Sequence, residues 1–302
     1  MRDPDKQSSR SAKGAIFICL ASVSWSTTAL LIKMVAVSSS LLSGLRCLIA
    51  GLILIPCLRL KSLRITPLFL LVSLVSASGQ MISSYSYRLT TATNASALFF
   101  SSPLWIFIYG IVFHRNLDRR SLPGVLLITL GIITILLEPN KGNNAVGNIL
   151  AAFTGIINAF VYVSLGKTKS RDRMQLIAFM AWMSFAFPVI FNLLTNRSVF
   201  SEIPSYPPST WFLLLIMALT QTVIPYILLC EGMKIVPVQR TAILSETEFI
   251  LAPVWTLLLL HEIPTSYGMA GWLLVLLGLL VNEMVSLSLS RKRPVNEERD
   301  KT

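Results

Sequence analysis

The stretch Leu122-Pro-Gly-Val-Leu-Leu-Ile-Thr-Leu-Gly-Ile-Ile-Thr-Ile-Leu-Leu137 runs without a charge, and Trp272-Leu-Leu-Val-Leu-Leu-Gly-Leu-Leu-Val281 repeats the theme far along the chain. Inside a lipid bilayer the backbone must satisfy its own hydrogen bonds, which leaves only helices and closed barrels. Barrel strands alternate apolar and polar residues over about 10 positions. Continuous apolar blocks are instead read as helices, which need about 20 residues to cross about 30 Å of hydrocarbon. The composition agrees. Of 302 residues, 54% are hydrophobic and 13% charged, against roughly 25% charged in soluble domains. A soluble fold would be left with apolar patches that aggregate. The expected class is an all-α integral membrane protein.

Ten blocks are legible, at about 14–34, 41–59, 66–87, 93–113, 122–138, 146–165, 174–194, 210–230, 238–260 and 267–288. Pro225, Pro237 and two glutamates interrupt the eighth and ninth. The segments 1–13 and 289–302 read as polar tails expected to be disordered. The first block follows a basic stretch but runs long and lacks a small-residue cleavage site, so it reads as retained rather than as a signal peptide. With the N-terminus inside, the inner segments collect most of the Lys and Arg, and the outer ones hold only Lys33, Arg88, Lys141 and Arg197. This bias predicts an even number of spans with both termini cytoplasmic. The net charge of +12 is spread in short runs between apolar blocks, so it reads as a topology signal and not as a nucleic-acid surface.

The chain also repeats itself. Pro103 aligns with Phe249 and Asn116 with Glu262, both at an offset of 146; Gly124 and Gly131 align with Gly271 and Gly278 at 147. Gly14 on Gly147 and Pro56 on Pro188 extend the match more weakly. Each glycine pair is spaced to lie on one helix face, where a neighbour can approach closely. Halves with five spans each, 14–138 and 146–288, enter the membrane from opposite sides. The expectation is therefore ten transmembrane helices in two inverted five-helix repeats, an arrangement that lets secondary transporters rock around a midplane site.

Several short patterns resemble the EamA type of the drug/metabolite transporter superfamily. Ser24-Trp25-Ser26 followed by Ile32-Lys33 is similar to that family's first helix, and Leu45-Arg46-Cys47-Leu48 to the start of its second. Ala97 to Pro103, and Leu244 to Glu262 ending in Leu259-Leu260-His261-Glu262, resemble its fourth and ninth helices with their closing Gly-Glu. Here Arg115-Asn116 and His261-Glu262 replace that Gly-Glu, and Phe249 stands where the family often has Pro. The resemblance implies export or exchange of small organic metabolites without ATP hydrolysis, and no cofactor.

Ionisable residues inside a membrane are costly, so each is a functional candidate. Glu248 shares a helix face with Ser245, Ala252 and Trp255. It reads either as a cavity acid that holds an amine or a coupling proton, or as a buried structural acid with a partner. Glu246, two residues away, points about 200° elsewhere and reads as packing or interfacial. Arg46 either snorkels to the headgroups or pairs with a glutamate or a substrate carboxylate. Trp25, Tyr85, Trp105, Tyr162 and Trp255 are aromatic candidates for the substrate pathway, with interface anchoring and packing as their ordinary roles. Asn158 and Gln221, like Gln80 and Ser84, would hydrogen-bond either a neighbouring helix or a solute. Pro103, Pro225 and Pro253 are candidate hinges.

No enzyme is indicated. Cys19, Cys47, Cys57 and Cys230 lie in apolar blocks without CxxC spacing, and His114 and His261 are too few and too far apart for a metal site. Neither a phosphate-binding Gly-rich loop nor a nucleophile elbow occurs. The reading is a secondary carrier of a small organic solute, an amino acid or related amine-bearing compound, with a proton or counter-substrate as the coupling partner. The expected setting is a plasma membrane, with a bacterial inner membrane favoured. A channel or a non-transporting membrane subunit is the alternative, ahead of a membrane-embedded enzyme.

Overall fold

The computed structural model describes residues 4–58, 65–114, 120–138, 143–168, 170–236 and 238–292. Its helices are α1 (Pro4–Ser26), α2 (Thr28–Met34), α3 (Ser39–Ile53), α4 (Pro67–Leu89), α5 (Ala92–Phe99), α6 (Ser102–His114), α7 (Leu122–Leu136), α8 (Asn143–Lys167), α9 (Ser170–Thr195), α10 (Pro208–Ala218), α11 (Ile224–Gly232), α12 (Val238–Leu260) and α13 (Ser266–Lys292). Three pairs join end to end, α1 with α2, α5 with α6, and α10 with α11, so these helices make ten crossings. Five crossings are long and apolar enough to span a bilayer on length and hydropathy: Ala12–Met34, Pro67–Leu89, Ala92–Val112, Asp172–Thr195 and Pro208–Gly232. The other five carry shorter apolar cores, such as Leu122–Leu136 and Ser266–Asn282.

Local chemistry sets many of the helix starts. Thr66 Oγ1 accepts the Phe69 N–H at 3.1 Å, and Thr91 Oγ1 accepts that of Asn94 at 3.2 Å; each satisfies a donor that the first turn leaves open. Pro67, Pro123 and Pro208 stand in first turns, where a missing N–H costs nothing. The first helix starts at Pro4 and the last runs to Lys292, so helical structure extends into both expected tails. Residues 1–3 and 293–302 lie outside the described set.

The helices pair across the repeats. The first crossing packs on α11 and α12, and α8 packs on α4 and α5; α3 packs on α9, and α7 on α13. Exchanging the halves maps this list onto itself, as a two-fold relation between inverted repeats requires. The pair α7 and α13 shows its sequence logic directly. A Cβ on Gly131 would lie 2.6 Å from the Gly271 carbonyl oxygen, and one on Gly278 would lie 2.6 Å from that of Gly124. The repeat-related glycines therefore meet one another, Gly124 with Gly278 and Gly131 with Gly271, and the two helices run antiparallel with their backbones touching. Phe249, fully buried, stacks on Trp272 at 5.1 Å and tilts against Phe100 at 5.2 Å, which ties α12 to α13 and to the junction of α5 and α6. Outward-facing Leu126, Leu130, Leu273 and Leu277 are exposed, as lipid-facing positions should be.

A side chain at the glycine seam must push two backbones apart, and overpacking of this kind costs about 1–3 kcal/mol or more. Gly131→Ala is expected to lower the thermal midpoint in detergent, and Gly131→Leu to prevent folded protein from accumulating. Leu130→Ala, one residue away on the lipid side, should be near neutral. Equal midpoints for Gly131→Ala and Leu130→Ala would mean that the close glycine contact contributes nothing to stability.

Candidate functional site

Three crossings are interrupted near mid-length, and each interruption is chemically matched. In the first crossing the run Ser24-Trp-Ser-Thr-Thr28 turns its hydroxyls onto its own backbone: Ser26 Oγ donates to the Val23 carbonyl at 2.7 Å, Thr27 Oγ1 to that of Ser24 at 2.8 Å and Thr28 Oγ1 to that of Trp25 at 2.6 Å. Such bonds compete with the helical ladder, and α1 gives way to α2 at Thr27. In the eighth crossing, residues Leu219–Val223 form a π turn between α10 and α11. Pro225 has no N–H to offer the Gln221 carbonyl four residues back. The Trp25 indole N–H donates to that carbonyl at 3.0 Å, while Ser24 Oγ donates to the Thr220 carbonyl at 2.7 Å. The Gln221 side chain returns the contact, its amide N–H donating to Thr27 Oγ1 at 2.9 Å and its Oε1 lying against Thr28 Oγ1. In the fourth crossing, Pro103 likewise frees the Phe99 carbonyl, to which Ser102 Oγ donates at 3.2 Å.

These interruptions border a cavity of about 130 Å³. Trp25, Arg46, Asn158, Gln221 and Glu248, all expected on the pathway, line it, joined by Gln80 and the aromatic rings of Tyr87, Phe99 and Tyr226. Tyr226 meets Trp25 edge-on at 5.2 Å. Arg46 is only 3% exposed, so it does not snorkel; one Nη donates to Gln80 Oε1, and its Nε has no partner. Glu248 lies close enough to act electrostatically on both Tyr87 and Tyr226, and Arg46 acts on Tyr226 with the opposite sign. An acid and a guanidinium, drawn from opposite repeats, thus share one small polar chamber with aromatic walls. Asn158 Nδ2 donates to Ser102 Oγ at 3.1 Å, which links the chamber to the break before α6.

Other expected residues fall elsewhere. The Trp255 indole donates to Ser26 Oγ at 2.8 Å and that of Trp105 to Ser101 Oγ at 3.1 Å, so both brace helix breaks and neither lines the cavity. Tyr85 is half-buried on α4 and off the lining. The side chains of Tyr162 and Glu246 lie outside the described residues. Pro103 and Pro225 stand just after helix breaks, whereas Pro253 is buried within the continuous α12. Among the described residues, no group of three His, Cys, Asp or Glu could hold a metal.

One cluster was not foreseen. Beyond the chamber, towards the ends of α2 and α12, buried Ile32, Leu42, Ala95 and Leu98 belong to one packed apolar cluster. At the ends themselves Lys33 pairs with Glu262 and donates to the Thr90 carbonyl at 3.2 Å, while Glu262 accepts the Ala92 N–H at 2.6 Å. His261, at the end of α12, takes a left-handed φ of 53°, and the Glu262 N–H closes back on the Thr256 carbonyl at 3.2 Å. That bend turns the carboxylate inward, at a position where glycine would be unstrained. The sequence held the signal in the two helix-ending residues Lys33 and Glu262, which read separately as a topology charge and a closing motif.

The EamA-like transporter family model matches residues 12–137 and again 145–284. No curated protein matches the chain in sequence comparison. A solved structure described as "Crystal structure of protein" superimposes with a TM-score of 0.61 at 18% identity, covering 95% of this chain and 100% of its own; that likeness speaks to the fold. Two matched stretches that together take in nearly the whole chain, on a helical frame whose halves interlock, identify this multi-pass membrane protein as a member of the EamA-like transporter family.

Proposed function

We propose that the chain is a secondary carrier, an exporter or exchanger, that moves a small zwitterionic metabolite such as an amino acid or related amine-bearing compound by alternating access. The observation that carries the reading is the chamber itself: Glu248 from the second repeat and Arg46 from the first face one mid-length cavity. Its volume, about 130 Å³, lies below the roughly 300 Å³ at which drug-sized pockets begin, which suits a small solute. Arg46 retains a buried Nε without a partner, suited to a carboxylate, and Glu248 suits an amine or a coupling proton. Aromatic walls offer the hydrophobic contact that such pockets use.

Helix breaks bordering the chamber support a moving carrier, because broken helices are where transporter repeats flex around a central site. The ion pair and apolar packing beyond the chamber argue against a channel open through the protein. We place the protein in a plasma membrane with both termini cytoplasmic, on the Lys and Arg bias; Lys33 and Glu262 then lie at the outer end.

Reconstituted protein should show saturable counterflow of a labelled amino acid or amine from a metabolite panel. Flux that never saturates, or none across the panel, defeats the carrier reading. Glu248→Gln should cut counterflow at least about tenfold, as expected for loss of a charge-assisted contact of about 1.5–3 kcal/mol, with membrane insertion intact. Wild-type kinetics in that variant would exclude Glu248 from the site. Arg46→Lys keeps the charge and loses the planar fork, so the half-saturation constant should rise by about tenfold; an unchanged constant would mean that Arg46 acts only as a structural cation.

A further inference from the structure

Lys33 has a carboxylate for its partner; Arg46, on the chamber wall and almost wholly buried, has an amide. Its guanidinium donates one Nη hydrogen bond to Gln80 Oε1, a neutral acceptor, and its Nε–H has no partner. Among the described residues, no carboxylate, Glu248 included, stands in ion-pair contact with Arg46, whereas Lys33 and Lys234 each have one. A buried charge held in this way is costly, because attraction to a neutral dipole repays little of the hydration that it gave up.

One face of α4 brings Gln80 to this place. Ser76, Gln80, Ser83 and Tyr87 recur at spacings of four, three and four, which stacks them on one side of a helix, and all four line the chamber. Beside them is Gly79, where a Cβ would lie 2.6 Å from Ile157 of α8, so α4 is held close to its neighbour with the stripe turned to the cavity. Within the stripe, Gln80 is the residue that reaches Arg46. The whole stripe is uncharged, although a carboxylate of the same length would fit where the amide now lies.

We propose that Gln80 sets the charge specificity of the chamber. By meeting Arg46 with an amide and not with a carboxylate, it leaves the guanidinium uncompensated, and the counter-charge is the carboxylate of the solute. The assignment rests on the carrier reading of the chamber and adds the reason that a free carboxylate is the feature selected. The amide oxygen steadies the planar guanidinium through one Nη, and Nε–H stays available for a charge-assisted contact. Gln80→Glu would act against a carboxylate solute twice over. It would close an ion pair with Arg46, and it would set a like charge beside the entering carboxylate.

The test is a change of charge preference, which a merely structural amide would not produce. Purified protein in detergent is melted at neutral pH and matched ionic strength with propionate or propylamine, two small probes that differ in their charged group. Propionate should raise the thermal midpoint of the parent, and Arg46→Gln should abolish that rise, which separates it from a general salt effect. In Gln80→Glu the propionate concentration that gives half the rise should increase at least about tenfold, as for loss of one charge-assisted contact, while propylamine becomes the stronger stabiliser. Gln80→Met, uncharged but without the amide, should keep the preference for propionate. A parent-like propionate response in Gln80→Glu overturns the proposal. So does a lost response in Gln80→Met, because the amide itself would then be the contact, and so does a parent that ignores propionate. If Gln80→Glu does not accumulate, the outcomes for Gln80→Met and Arg46→Gln decide. The charge switch in a protein without solute counterflow would sink the carrier reading alone. Saturable counterflow of a carboxylate solute, unaltered in Gln80→Glu, would sink this proposal alone.

Discussion

The Trp25 indole N–H donates to a carbonyl that Pro225 leaves without its helical partner, and the architecture of the chamber rests on exchanges of this kind. In hydrocarbon an unsatisfied peptide group costs several kcal/mol, so a helix can break within the bilayer only where another group meets the freed carbonyl. Pro225 and the π turn before it loosen the eighth crossing; the serine and threonine hydroxyls loosen the first; each supplies what the other lacks. The two breaks therefore face each other of necessity. A polar site emerges beside them, because the same Gln221 and Trp25 that satisfy the backbone also line the cavity.

That exchange couples the repeats as well as the helices. Ser24 and Trp25 belong to the first repeat, and Thr220 and Gln221 to the second. The same is true of Arg46 and Glu248 in the chamber, of Lys33 and Glu262 beyond it, and of the facing glycines on α7 and α13. The glycine seam differs from the rest. It brings the two backbones as close as their atoms allow, with Asn282 packed against Gly124, so it suits a fixed axis, whereas the hydrogen-bonded and ionic contacts have alternatives in water and can exchange. Rigid contact along α7 and α13, with polar contact around the chamber, is the division a rocking pair of repeats needs.

The frame was legible in the sequence because it rests on one-dimensional signals: block length, charge bias and the spacing of Gly124, Gly131, Gly271 and Gly278. Glu248 and Arg46 were legible for a related reason, since a charge within an apolar block is conspicuous wherever it sits. Aromatic residues were harder. Trp25, Trp105 and Trp255 share small, polar neighbours in sequence, yet of the three Trp25 alone reaches the cavity, because the helix break that each indole N–H meets, distant for Trp25 and Trp255 and in its own crossing for Trp105, decides where the ring goes. Tyr87 and Tyr226 passed unremarked for the converse reason; nothing next to them in the chain distinguishes a cavity wall from packing. Pro253 carried the same signal as Pro225, but α12 runs through it unbroken, so proline marks a place where a helix can yield without requiring that it does.

The repeat carries most information where it fails. Phe249 replaces the counterpart of Pro103, and its ring fills the space between Trp272 and Phe100; the ninth crossing is thereby stiffened where the fourth is broken. Asn116 replaces the counterpart of Glu262, and His261 accepts a left-handed backbone to turn Glu262 inward. Both departures act in one direction. They make α12 a continuous strut followed by the Lys33–Glu262 pair, while its partner crossing is interrupted just before Pro103. The departures from the repeat that the structure describes gather on α12 and its end, and α12 also carries the chamber acid Glu248.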